Sequence, residues 1–388
     1  MHELVPRPAD APARPATETF TLAPPVRFGP ITPSERGVAA ALLGRPVADP
    51  FLVGTVACDA CAHRCVIRAG RVGICGTREN RAGRLVTTVY GEVAALHLEP
   101  IEKKPLYHVA PGSLAVSLAT PGCNLHCRFC QNWELAQGHR EGHRPVTEPL
   151  PPEAIAERAR AADAAVVAYT YVEPTVFLEY ALDTARLVRR DGRLNVFVTN
   201  GYQTPEALQL LAPLLDAANV DLKSFSDATY RRLCGARLEP VLATLLGMRR
   251  AGIWVEVTTL VIPGVNDSVS ELRALAEWIG SELGEETPWH VSRFHPAHRM
   301  RRIPPTPSDS LLAAAAMGRA AGLRHVYVGN APELDGAETR CAGCGHRLIR
   351  RRDFAVVEWR LDGDRCPDCL RRLPGVAVAR TPRAALPA

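Results

Sequence analysis

From residue 113 to residue 330, short apolar runs alternate with amphipathic stretches, and this alternation constrains the fold more than anything else in the 388-residue chain. Residues 113–120, 164–171, 195–200, 220–223, 254–262, 289–294 and 325–328 predict strands. Residues 152–162, 175–190, 205–215, 240–250, 269–283 and 308–321 predict the helices between them. Strands that alternate with helices pair in parallel through right-handed crossovers. Six or seven such units predict an α/β fold, an open or partial parallel βα barrel rather than a sandwich. Sites in parallel α/β folds form at the C-terminal ends of strands, so the chemical residues are expected there.

The flanks read differently. Residues 1–50 are rich in Pro and Ala, and the first ~25 lack periodicity, which predicts a loosely attached arm. Residues 51–112 carry four cysteines and short strand-like runs, and predict a small N-terminal module. Residues 331–375 carry four more among dense arginines, and 376–388 read as a tail. Eleven of the twelve cysteines therefore fall in three clusters, counting the one in the barrel; Cys234 stands alone and is expected to be buried and inert. No apolar run approaches the ~18 residues of a membrane span, and the N-terminus has no apolar h-region. These features predict a cytoplasmic protein, whose thiols serve metals or catalysis rather than disulfides.

The barrel cluster is Cys123-Asn124-Leu125-His126-Cys127-Arg128-Phe129-Cys130, just past the first predicted strand. Three thiolates can hold three corners of a four-iron cluster and leave the fourth iron open. A structural zinc site needs a fourth ligand; His126 is the candidate, but it adjoins Cys127, and neighbouring residues rarely converge on one metal. Composition adds one hint. Of 46 basic residues only three are lysine: Lys103, Lys104 and Lys223. Lysine is a compact point charge where arginine is a planar fork, so these sites are candidates for a specific role.

The cysteine loop, with an aromatic residue (Phe129) before the third thiol, resembles the radical S-adenosylmethionine (SAM) signature. The resemblance extends over residues ~55–375 and is nearest to the radical SAM component of the AmmeMemoRadiSam system, similar to pyruvate formate-lyase activating enzyme. Its carriers are Cys58-Asp59-Ala60-Cys61, Pro100-Ile101-Glu102-Lys103-Lys104-Pro105-Leu106-Tyr107-His108, the loop itself, Tyr169-Thr170-Tyr171-Val172-Glu173-Pro174, Thr199-Asn200-Gly201-Tyr202, Asp221-Leu222-Lys223 and Pro263-Gly264-Val265-Asn266-Asp267. The resemblance implies a radical SAM barrel with a 4Fe–4S cluster on Cys123, Cys127 and Cys130. It also implies SAM on the open iron, and reductive cleavage to a 5′-deoxyadenosyl radical that takes hydrogen from a substrate. It assigns Glu173 to the SAM ammonium, in a turn that lacks the family's two glycines, and Lys223 to the SAM carboxylate. Asn132 and His295 would line the SAM site, and Thr199 with Asp221 a cation site, although Val198 stands where relatives can have aspartate. Asn200 and Asn330 fall at the rim. A ferredoxin or flavodoxin would supply the electron; the substrate, whether small molecule, peptide or protein, is not named by any motif.

Cys58, Cys61, Cys65 and Cys75 predict a metal site, zinc or a second iron–sulfur cluster, with His63 as a competing ligand. Cys341, Cys344, Cys366 and Cys369 form a ribbon pattern with a gap of 21 residues, for zinc or a single iron. Arg347, Arg350, Arg351, Arg352, Arg371 and Arg372 around it read as a solvated face. Three function classes follow: a radical SAM enzyme with an unidentified substrate, a glycyl-radical activating enzyme, and a metal-ribbon scaffold for nucleic acid or protein. No aromatic stripe accompanies the arginines, which disfavours nucleic acid.

Overall fold

The computed structural model describes residues 37–47, 53–143 and 145–378. Most of the expected N-terminal arm and the end of the tail lie outside those residues. The centre is one eight-stranded sheet: β1 (Ala95–Pro100), β2 (Leu114–Ala119), β3 (Val166–Tyr169), β4 (Leu194–Thr199), β5 (Ala217–Asp221), β6 (Trp254–Val261), β7 (Trp289–Arg293) and β8 (Val326–Gly329). They lie side by side in chain order. β2 to β8 are parallel, and β1 runs antiparallel to β2 along one edge. β1 and β8 do not pair, so the sheet is an open barrel, as expected from the alternation.

Six helices make the crossovers: α1 (Pro152–Ala161), α2 (Leu178–Arg190), α3 (Pro205–Leu211), α4 (Leu238–Arg250), α5 (Val269–Trp278) and α6 (Ser308–Ala320). Capping explains several starts. Thr204 and Ser268 accept hydrogen bonds from the backbone N–H of Ala207 and Glu271, with Pro205 in the first turn of α3. α3 stops four residues short of its predicted end: Ala212 is still helical, but Pro213 has no backbone N–H to continue the hydrogen-bond ladder. β5 begins three residues before its predicted start: Ala217, Ala218 and Asn219 carry little strand propensity, but each is fully buried in the sheet. β1 lies within the stretch assigned to the N-terminal module, yet it belongs to the barrel sheet.

One apolar core fills the space between the helices and the sheet. A second plugs the end of the barrel at the strand N-termini: Ile101, Leu106, Val109 and Ala110 pack on Ala115, Val166, Val196 and Ala217. That end is closed, so the C-terminal strand ends are where a site can open.

The N-terminal module has two small antiparallel sheets, one of them including Ala39–Ala40 and the other Gly44–Pro46. The C-terminal module is a three-stranded antiparallel sheet of Thr339–Arg340, Arg347–Arg352 and Ala355–Trp359. Each is pinned to the barrel by a buried ion pair. Arg78 makes two 2.9 Å bonds to Glu179 of α2. Arg351 lies 3.4 Å from Glu102 and donates to the Tyr107 carbonyl at 2.8 Å. Arg351 is therefore no part of a solvated face, which corrects the sequence reading: its guanidinium packs on the Tyr107 ring, and the residue as a whole is 6% exposed. Of its neighbours, Arg347, Arg371 and Arg372 pair with Glu338 and Glu358, Glu286 and Asp364.

Candidate active site

A cavity of about 490 Å³ opens at the C-terminal ends of the strands. Its walls include Cys123, Cys127, Cys130, Phe129, Asn132, Glu173, Thr199, Asp221 and Lys223, together with Asn200 and Asn330. Glu173, Thr199, Asn200, Asp221, Lys223 and Asn330 follow or end strands, and the cysteine loop with Asn132 reaches the same cavity from beyond β2. His295 is the exception: it is exposed, it does not line the cavity, and its carbonyl accepts from Gln131 Nε2 at 2.9 Å.

The cysteine loop is held by backbone contacts on several sides. His126 N–H donates to the Cys234 carbonyl at 2.8 Å and Arg128 N–H to that of Leu233 at 2.9 Å. Gln137 Nε2 donates to the Cys127 carbonyl at 3.0 Å. These contacts spend the backbone polar groups on the scaffold, while the three cysteines line the cavity. Cys234 is buried as expected, and its thiol hydrogen-bonds Cys127, which lowers the pKa of that thiol. Burial pushes the Cys123 and Cys130 thiols up to about 12, so a metal that binds them must displace protons. His126 is exposed and absent from the cavity wall. The loop therefore offers three protein ligands.

Glu173 is 2% exposed, and its carboxylate is already engaged by four donors. These are Thr175 N–H (3.1 Å), Thr175 Oγ1 (2.6 Å), Thr199 Oγ1 (2.8 Å) and Asn200 N–H (2.8 Å). It ties the ends of β3 and β4 together. Burial raises its pKa despite those donors. The turn before it lacks glycine, yet Tyr171 adopts φ +64°, the left-handed backbone glycine prefers, at a cost of roughly 1–2 kcal/mol. Three contacts hold it there. Asn132 Nδ2 donates to its carbonyl at 2.8 Å, its hydroxyl donates to Glu99 at 2.6 Å, and Lys104 Nζ lies 4.5 Å from its ring centre.

Lys223 Nζ donates to Asp221 at 2.8 Å and stands 6.0 Å from the Phe129 ring. Burial opposes its charge, but Asp221 more than offsets that, and the pKa stands well above the ordinary lysine value. Asn266 fixes the backbone beneath it by donating to the Lys223 carbonyl at 2.8 Å and the Leu260 carbonyl at 2.9 Å. This gives the Pro263–Asp267 phrase a role that the sequence left unassigned. Thr199 and Asp221 are each occupied by protein partners, Glu173 and Lys223.

Sequence reasoning missed a polar group at the other end of the cavity. Glu99 binds Lys103 (2.9 Å), Lys104 and Tyr171; the rarity of lysine was its one signal. His290 also lines the cavity, and its Nε2 lies 2.7 Å from buried Glu256. Asn219 Oδ1, Thr258 Oγ1 and Glu102 Oε2 are buried on residues of this wall and have no hydrogen-bond partner among the described residues. Buried polar atoms are costly when unpaired. Thiols, a buried ammonium and orphaned acceptors together fit a metal cluster with a polar ligand.

Such a cavity, at the open end of a curled parallel sheet and rimmed by three thiols and a largely enclosed lysine, is the kind of site an α/β enzyme builds for a cofactor. The radical SAM superfamily model matches residues 117–279. The chain is 42% identical over 316 residues to an uncharacterized protein of Methanocaldococcus jannaschii, across 81% of this chain and 93% of that one. It is 30% identical over 90 residues to the benzylsuccinate synthase activating enzyme of Thauera aromatica, covering 23% of this chain and 27% of the relative. It is 28% identical over 131 residues to the isethionate sulfite-lyase activating enzyme of Nitratidesulfovibrio vulgaris, covering 32% and 42%. The chain thus spans less than half the length of either activating enzyme. It belongs to the radical SAM superfamily, whose members are enzymes that use a 4Fe–4S cluster and SAM. Among the described residues no helix is long and apolar enough to cross a membrane.

Proposed function

We propose that Cys123, Cys127 and Cys130 hold the 4Fe–4S cluster and that SAM lies between it and the Glu99–Tyr171 end of the cavity. The observation that carries this reading is the convergence of three thiols on the cavity that also holds Lys223 and Asn132. When bound, the cluster and SAM supply one-electron cleavage to methionine and a 5′-deoxyadenosyl radical, which takes hydrogen from a substrate. Lys223, oriented by Asp221 and Asn266, offers a fixed cation to the SAM carboxylate. Asn132 and Glu173 hold the loop and the β3 turn in register, with Glu173 acting through Thr199 and Asn200. Phe129 and Leu125 exclude water from the cluster side. His290, backed by Glu256, and the Glu99 group face the substrate end.

The substrate is taken as a small molecule, a peptide or a protein. Partial similarity to two activating enzymes supports activation of a partner enzyme as one such reaction. We assign a cytoplasmic setting, a ferredoxin or flavodoxin donor, and zinc to Cys341, Cys344, Cys366 and Cys369. A nucleic-acid scaffold is disfavoured because much of the arginine face is ion-paired.

The test is anaerobic. Reduced, iron-loaded protein is expected to shift its EPR signal with SAM and to release methionine and 5′-deoxyadenosine. Cys127→Ala should abolish both. Lys223→Ala should weaken SAM binding roughly 10- to 100-fold, the loss of one charge-assisted bond. An iron-loaded wild-type protein whose spectrum ignores SAM would overturn the assignment.

A further inference from the structure

The geometry points to a second four-iron cluster, ligated by Cys58, Cys61, Cys65 and Cys75, that passes electrons to the cluster on Cys123, Cys127 and Cys130; the electron-passing part rests on the function proposed above.

The sulfur spacing argues for it. Zinc–sulfur bonds of about 2.3 Å put four thiolates about 3.8 Å apart around one ion. They leave no room between them. A cubane spreads its four cysteine sulfurs to roughly 6 Å or more, with a core in the middle. The C-terminal set matches the first geometry: its four sulfurs lie within 4.8 Å of one another, two pairs at 3.4 and 3.6 Å. It is the one such group among the described residues. The N-terminal thiols are spread more widely than that limit, yet all four line a single cavity of about 20 Å³. That is room for about one water-sized body. A void enclosed by four thiols is what a collapsed single-ion site lacks. Ala60, Ile67 and Val176 wall it, Arg78 stands at its edge, and Thr77 Oγ1 donates to Cys75 Sγ at 3.2 Å.

The second argument is position. This set is built against the back of the barrel cysteine loop. His63 Nε2 lies 2.8 Å from the Asn124 carbonyl, and Ala62 N–H donates to the Tyr202 carbonyl at 3.1 Å. Arg140 donates to the carbonyls of both Ile74 and Cys123. A Cβ on Gly122 would stand 2.9 Å from the Cys75 carbonyl oxygen. Thr175, two residues after Glu173, lines the N-terminal cavity. Its outer flank carries exposed Val66, Val72 and Ile74 beside Arg68 and Arg71, the side open to a protein donor.

The redox step balances with one named reactant. A low-potential one-electron protein donor reduces the outer cluster by one electron and is itself oxidised by one. The outer cluster returns to its oxidised level as the barrel cluster is reduced, and that electron enters the sulfonium bond as methionine leaves.

The experiment uses the full chain, reconstituted anaerobically with iron, sulfide and zinc. Wild type is expected to hold about eight iron and about one zinc, with two reduced clusters of which one responds to SAM. Their proximity should broaden the EPR signal of the doubly reduced protein. Cys65→Ser/Cys75→Ser should drop iron to about four and lose the broadening, but keep the SAM response. Cys123→Ala/Cys127→Ala should keep about four iron with no SAM response. After reduction and removal of excess reductant, wild type should release about two methionines per chain, and Cys65→Ser/Cys75→Ser about one. Wild type with about four iron and about two zinc would overturn the second cluster and leave the barrel assignment standing. Two clusters with about one methionine would overturn the relay. Iron with no SAM response anywhere would overturn the barrel assignment instead. If the cysteine variants fail to fold, the wild-type metal count and spectrum still decide.

Discussion

The two four-cysteine modules have the same number of thiols and the same kind of anchor, a buried Arg–Glu pair, yet they make different sites. In the C-terminal module two Cys-x-x-Cys knuckles face each other across a three-stranded sheet, and their sulfurs close to ion distance. In the N-terminal module Cys58 ends a strand, Cys61 bridges to Gln203 of the barrel, and Cys65 precedes a second strand. Cys75 lies in a turn that packs on the barrel loop. The thiols are held apart by the elements that carry them. Ligand count does not choose the metal; the spacing imposed by the fold does. Neighbourhood differs as well. The C-terminal set stands on the closed end of the barrel through Arg351, whereas the N-terminal set backs onto the reactive loop.

The largest effect should come from taking the ion out of the C-terminal set. Structural zinc in small modules is worth on the order of 10 kcal/mol of apparent folding energy. Chelation, or Cys366→Ala at a fully buried ligand, should open residues 339–373 to trypsin while the barrel keeps its iron and most of its circular dichroism. A protease-resistant module without metal would break the comparison. Next is the anchor. Arg78→Met strands the buried Glu179 carboxylate and should cost about 3–5 kcal/mol in urea unfolding. Arg351→Met strands Glu102 and should cost a similar amount. The metal readout separates them: iron should fall in the first variant and stay level in the second.

The anchors also show what the sequence could and could not convey. Barrel topology, three cysteine groups and the strand-end residues were legible, because parallel α/β periodicity and thiol spacing are local signals. β1 was not, since an edge strand between turns has no helix to announce it. Arg78 and Arg351 were invisible among so many arginines, because burial is a property of the docked module. Tyr171 in a left-handed turn could be seen only from the backbone, and the Glu99–Lys104 pair only hinted at by the rarity of lysine. The ligand spread that separates the two modules depends on strand pairing and docking, which no Cys-x-x-Cys pattern encodes.

A smaller and more local effect sharpens the contrast between the modules. Gly122 has φ +97°, and a Cβ there would stand 2.3 Å from Thr77 Cγ2 and 2.9 Å from the Cys75 carbonyl oxygen. Gly122→Ala must push the N-terminal set away from the barrel loop and should cost about 1–3 kcal/mol. Gly345, in the C-terminal knuckle, has φ +77° but nothing within 4 Å of its Cβ position. Gly345→Ala should therefore cost only the backbone term, about 1 kcal/mol. Equal losses in urea midpoints would mean that the N-terminal set and the loop are not in contact.

The smallest effect is a pH slope at the C-terminal anchor. Burial raises the Glu102 pKa above its ordinary 4.5, more than Arg351 and the Gly112 N–H lower it. Between the unfolded and the folded pKa the unfolded chain holds fewer protons, so stability falls as pH rises through that window and levels off above it. Glu99, three residues earlier, has the opposite sign. Burial would raise its pKa, but Lys104, Tyr171 and Lys103 overcome this and hold it at about 2. Its contribution is complete above 4.5 and is lost as pH falls toward about 2. Urea midpoints from acid to neutral pH should lose their downward arm in Glu102→Gln and their acid-side rise in Glu99→Gln. Each change is limited to one proton. A profile unchanged in Glu102→Gln would mean that Arg351 fully compensates the buried carboxylate.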